Sequence, residues 1–116
     1  MRDHVRTGVW TIDVDGTERL ELYWRKDDFG VGPALSFHRG DREVLRFDFL
    51  HPAHVHRASE QDAPRHYYPP DLPMRDYVAM AIAEIAAESA AAGAVAASNQ
   101  DEITRRCQTG QPAFEP

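Results

Sequence analysis

Polar and apolar residues alternate in four stretches of the first half of the chain. Between Gly8 and Val14 the alternation puts Trp10, Ile12 and Val14 on one face, and between Glu18 and Arg25 it does the same for Leu20, Leu22 and Trp24. A period of two marks half-buried strands. Asp15-Gly16 between them suggests a two-residue hairpin turn, but that turn would set Ile12 opposite Arg19 and mix the faces. A three-residue loop, Asp15-Gly16-Thr17, pairs Ile12 with Leu20 and Trp10 with Leu22, and is the better expectation because a one-residue slip turns a whole apolar set outward. In the second pair Leu35 and Phe37 share a face, as do Leu45, Phe47 and Phe49. An odd-length loop around Arg39-Gly40-Asp41 would set Leu35 opposite Leu45. Arg39-Gly40-Asp41 also spells a cell-adhesion tripeptide, read here as a turn.

From Leu50 to Pro70 the pattern gives way to punctuation by Pro52, Pro64, Pro69 and Pro70, with His66-Tyr67-Tyr68 as a short edge strand at most. A helix is predicted next. Asp71 would cap it, Pro73 suits its first turn, and Met74, Tyr77, Val78, Ala81, Ile82 and Ile85 recur at helical spacing. Gly93 reads as a stop, with a frayed helix or mobile tail beyond. The expected fold is α+β: a four- to five-stranded antiparallel meander of two hairpins packed on one C-terminal helix. The domain would span residues 1–92 and the tail residues 93–116. Trp10, Ile12, Leu20, Leu22, Trp24, Leu35, Phe37, Leu45, Phe47, Val78, Ile82 and Ile85 should form the core. One helix covers such a sheet only partly, and its alanine surface invites a second helix, so a homodimer is expected.

A chain of 116 residues with a formal charge of −6 makes about one domain and shows no basic excess. Acids exceed bases in both halves, which disfavours a broad nucleic-acid-binding face. Cys107 is the only cysteine, so neither an intrachain disulfide nor a CxxC zinc site can form. The N-terminal residues lack the apolar run of a signal peptide and no segment has the length of a membrane span, so the chain reads as cytoplasmic with no membrane partner. Ser36, Ser59 and Ser89 lack a Gly-x-Ser-x-Gly setting, and Gly30-x-Gly32 is followed by proline, which cannot open a phosphate-binding helix.

The candidate chemistry lies in four of the six histidines: His51, His54, His56 and His66. In an extended His54-Val55-His56 both imidazoles point the same way. With His66 from the next segment and Asp48 as a further ligand, His54 and His56 would give a set suited to a divalent metal such as zinc. A metal-free alternative uses His54 and His56 as acid and base, with Arg57 or Arg65 stabilising an anion. His51, in register with Leu45, Phe47 and Phe49, is expected to face inward. Arg46, Asp48, Ser36 and His38 alternate onto the face opposite the apolar set, expected to be solvated.

The stretch Val31-Gly32-Pro33-Ala34-Leu35-Ser36-Phe37, Gly40 and Arg42-Glu43-Val44-Leu45-Arg46-Phe47-Asp48 resembles the second hairpin of small bacterial proteins of unassigned function. In those proteins a His-rich loop and a single helix follow. Over roughly residues 8–88 the order is similar to the TumE-type family of toxin–antitoxin systems: two hairpins, the Phe47-Asp48 pair, His54-x-His56, Tyr67 or Tyr68, then a helix from Met74 to Glu88. That family usually has Asn after the Asp, where this chain has Phe49. The resemblance implies a toxin acting on RNA, with an antitoxin-like protein partner, and carries no catalytic residues over. The competing expectation is a non-catalytic protein–protein interaction module whose histidines are structural.

Overall fold

The computed structural model describes residues 5–27, 30–49, 53–58 and 66–109. His51, Arg65 and the last residues, 110–116, lie outside them. Six strands form one antiparallel meander in chain order: β1 (Val5–Asp13), β2 (Glu18–Asp27), β3 (Gly30–Arg39), β4 (Arg42–Asp48), β5 (His54–Arg57) and β6 (His66–Tyr67). Three helices follow: α1 (Met74–Glu88), α2 (Ala90–Ser98) and α3 (Gln100–Thr109). The α+β class and the meander agree with the sequence pattern, but among the described residues the sheet has six strands and the helical layer three helices.

The first hairpin has the expected register, with Ile12 opposite Leu20 and Trp10 opposite Leu22. The Asp15 carboxylate fixes its loop by accepting the N–H groups of Thr17 (3.1 Å) and Glu18 (2.9 Å), a side-chain substitute for a backbone turn. The second hairpin reaches the same result differently. Its turn is the even pair Gly40-Asp41, with Arg39 opposite Arg42 and Gly40 at φ 62°, as the first central residue of a type II′ turn requires. Continued regularly, that turn would set Phe37 against Val44 and Leu35 against Arg46. A bulge in β4 absorbs one residue, so Phe37 meets Leu45 and Leu35 meets Phe47. The expected Leu35–Leu45 pairing is therefore two residues out, although the faces were assigned correctly.

Leu20, Leu22, Leu35, Phe37, Leu45, Phe47 and Val55 cover one face of the sheet, and Tyr77, Val78, Ala81, Ile82 and Ile85 of α1 pack in the same core. Helix α1 starts without the predicted cap. Pro73 holds the cap position with no side-chain hydrogen bond, and Asp71 sits in the left-handed region at φ 65°. The Tyr77 hydroxyl organises this entry instead: it donates to the Pro69 carbonyl (2.7 Å) and accepts from the Leu72 N–H (3.2 Å).

The chain beyond residue 92 is not a frayed tail over its described length. Ser89 is extended and ends α1, and its hydroxyl accepts the Ala92 N–H to cap α2. Ala92, Ala96, Ile103 and Cys107 are buried in the core. Burial pushes the Cys107 thiol up to about 12, so it is a packing residue. Gly93 is not a stop but lies inside α2, where a Cβ would come within 2.4 Å of the Ala86 Cβ. The close approach that the alanine surface invites is thus made within the chain, by α1 and α2. No helix among the described residues is long and apolar enough to cross a membrane.

This contact sets propensity against packing. Gly93→Ala gains about 1 kcal/mol in helix propensity, but the added methyl also meets the Ala86 Cα at 2.6 Å, which cannot swing aside. Overpacking of this kind costs about 1–3 kcal/mol. The expected outcome is a lower urea midpoint at unchanged m-value. A raised midpoint would show that the helices separate without cost.

Candidate metal centre

The sheet face away from the helices carries the chemistry. Strand alternation that sends Leu20, Leu22, Leu35 and Phe47 to the core sends Glu21, Tyr23, Arg25, Ser36, Arg46 and Asp48 to this face. Register then aligns them in rows: Glu21, Ser36, Arg46 and His56 in one, Tyr23, Ala34, Asp48, His54 and Tyr67 in the next. The face is polar but not simply solvated, as Tyr23, Ser36, Asp48, His38 and His54 are all buried. Long charged side chains provide the cover. Arg6 lies over the Tyr23 ring, 4.3 Å from its centroid, while Tyr23, Ser36 and Glu43 form a hydrogen-bonded chain with links of 3.1 and 3.0 Å.

Asp48 is the hub. Its residue exposure is only 2 %, so its charge must be matched by neighbours. Arg25 donates from Nη1 to Oδ1 at 2.8 Å, and Arg46 donates from Nε to Oδ2 at 3.2 Å. Arg25 comes from β2 and reaches β4 across β3, where Gly32 and Ala34 present almost no bulk. On the other side His56 Nε2 lies 2.8 Å and His54 Nε2 3.4 Å from Oδ2. Burial alone would push the Asp48 carboxyl up. The hydrogen bonds from His54 and His56 and the charges of Arg46 and Arg25 outweigh it and hold the group well below the usual carboxylate range.

The two imidazole nitrogens also approach each other, with His54 Nε2 3.0 Å from His56 Nε2. Three donor atoms thus form a triangle with sides of 2.8, 3.0 and 3.4 Å. Bonds of about 2.0–2.1 Å from a metal put neighbouring ligand atoms roughly 2.9 Å apart in an octahedral shell and roughly 3.3 Å apart in a tetrahedral one. The triangle fits one face of either shell. Among the described residues this is the group whose ligand atoms converge in this way. Two imidazoles and a carboxylate suit zinc or iron(II).

Of the residues singled out in the sequence, Asp48, His54 and His56 come together. His66 and Arg57 do not join them. His66 is exposed and stands opposite Val55, which assigns it to the other side of the sheet. The neighbour in β6 is Tyr67, whose ring centroid is 5.5 Å from that of His54. Arg57 stands opposite Leu45 on the helix side, where Nη2 reaches the Glu84 carboxylate of α1 at 2.5 and 2.6 Å. The cations beside the triad are Arg25 and Arg46. Arg25 was not anticipated, although its alternation with Leu22 and Trp24 already gave its face. No family model, curated protein or solved structure matches the chain.

Removing the Asp48 charge leaves two guanidiniums without their shared carboxylate. Asp48→Asn is expected to destabilise the fold by about 3 kcal/mol at pH 7. Because the folded-state pKa is depressed, the contribution is complete well above the unfolded value of about 3.9. It is lost as pH falls below that value toward the lower folded-state one. Urea unfolding at pH 7 and pH 3 should therefore show the difference between wild type and variant shrinking on acidification. A difference independent of pH would refute the charge argument.

Proposed function

We propose that Asp48, His54 and His56 bind a divalent transition metal such as zinc and that the open sheet face is a hydrolytic site acting on RNA, as in a toxin with an antitoxin-like protein partner. The observation that carries the metal reading is the triangle of donor atoms at coordination-shell spacing. Three protein ligands leave a position for water, whose pKa a bound zinc ion lowers toward neutrality. Arg46 is only partly buried beside the triad and supplies a cation for an anionic substrate, while the exposed Tyr67 ring supplies a stacking surface. The resemblance in element order to the TumE-type family supports RNA as the substrate class.

One observation favours a second reading. Arg25 and Arg46 already neutralise Asp48, which works against adding a dication. In that case His54 and His56 complete a structural network in a non-catalytic interaction module, or act as a metal-free acid–base pair.

Metal titration separates these readings. Metal-free protein without an affinity tag should bind one zinc ion by calorimetry and give tetrahedral or five-coordinate cobalt(II) absorption bands. His54→Ala and His56→Ala should each weaken binding at least about 100-fold, whereas His66→Ala should leave it unchanged. Absence of saturable binding in the folded wild type would rule out the metal reading. RNA cleavage by the metal-loaded protein, lost in His56→Ala, tests the substrate class separately.

A further inference from the structure

On the helix side of the sheet, away from the triad, a small cleft opens between the β3–β4 turn and the C-terminal end of α1. We propose that this cleft binds a phosphate-type oxyanion between Arg39, Arg42 and Arg57. Its volume is about 160 Å³, and Val44, Leu45, Ala58 and Glu88 complete its lining. Cavities for drug-sized ligands are larger, about 300–1,000 Å³. This one suits a small ion or the phosphoryl end of a larger molecule.

The arrangement of charges points to an anion. Arg39 and Arg42 are directly opposite each other across the ladder, a like-charge pair that weakens a hairpin unless something neutralises it. Register places Arg57 on the same side, opposite Leu45. Three arginines from three strands thus line one cleft with Glu88; Glu18 pairs with Arg39 and Glu84 with Arg57, which leaves the Arg42 guanidinium as the charge for an anion to meet. Two of them are oriented by the protein. Arg39 Nε donates to Glu18 at 2.9 Å, its guanidinium lies 5.5 Å from the Phe37 ring centroid, and Arg57 is held by Glu84. Arg42 is exposed, and its side chain makes no hydrogen bond or ion pair with another described residue. Each guanidinium has five N–H groups, so Arg39 and Arg57 keep donors beyond those engaged by Glu18 and Glu84, and three such forks around one cleft suit the oxygens of a tetrahedral oxyanion. The Val44 and Leu45 side of the cleft lowers the local polarity and strengthens such contacts.

The site is independent of the metal reading, since it uses other residues on the other side of the sheet. The test titrates the full chain with inorganic phosphate and with phenyl phosphate in 0.15 M salt, followed by NMR and calorimetry. Saturable binding is expected, with shift changes centred on the β3–β4 turn. Tighter binding of phenyl phosphate would identify a phosphomonoester as the ligand form, and equal binding the free ion. Arg42→Ala should weaken binding about tenfold or more, Glu88→Gln should tighten it a few-fold, and Arg75→Ala on α1 should leave it unchanged. Arg42 supports no other residue by a hydrogen bond or ion pair, so its variant should keep the wild-type melting temperature without phosphate. No saturable binding, equal weakening in Arg42→Ala and Arg75→Ala, or shifts centred elsewhere would overturn the proposal.

Discussion

A strand offers its side chains only two directions, and this sheet assigns them opposite tasks. One face is apolar and receives the helices; the other collects arginines, carboxylates and imidazoles. A slip of one residue in any strand would exchange the two sets, burying charge against α1 and opening the core to water. The first hairpin preserves parity with an odd loop, Asp15-Gly16-Thr17. The second has the even turn Gly40-Asp41 and restores parity with a bulge in β4. Downstream of that bulge lie Phe47 in the core and Asp48 at the hub, so both the packing and the site depend on it.

Asp48 shows how such a polar face is kept. A buried carboxylate would ordinarily take up a proton, but here it stays charged because guanidiniums and imidazoles converge on it from β2, β4 and β5. Those groups also shield it from water, so desolvation and compensation come from the same side chains. Tyr23, Ser36 and Glu43 extend the hydrogen-bonded face beyond the hub. The sheet therefore needs no second protein layer to bury polar groups on its open side.

Much of this was legible in the residues. Alternation gave β1 to β4, their faces and the first register, but not β5, and helical spacing gave the buried stripe of α1. Alternation also put His54 and His56 on one face, while Asp48 was a candidate ligand by residue type alone. What escaped was information that periodicity does not carry. The β4 bulge has no composition signal of its own in Glu43-Val44. Helix α2 hides in a segment of alanines whose packing depends on Gly93 fitting against Ala86 of α1, a contact visible only once both helices are placed, and α3 buries only Ile103 and Cys107. His66 and Arg57 are residue types that suit the chemistry. Their register, opposite Val55 and Leu45, puts them on the other face. Arg25 was overlooked because it lies far from the histidines in sequence, and small residues at Gly32 and Ala34 are what let it cross.

The three converging atoms of the candidate centre come from β4 and β5, adjacent strands joined by a short connection. Their stabilising arginine Arg25 comes from β2, with all of β3 between. Local strand pairs close in about 1–10 μs, before distant elements dock. The ligand set can therefore assemble while the helices are still free, and Arg25 joins it only when the meander is complete. A cation captured at that stage would cross-link β4 to β5 early, speeding folding as well as slowing unfolding. Occupancy of the site would then govern the order in which the chain acquires its structure.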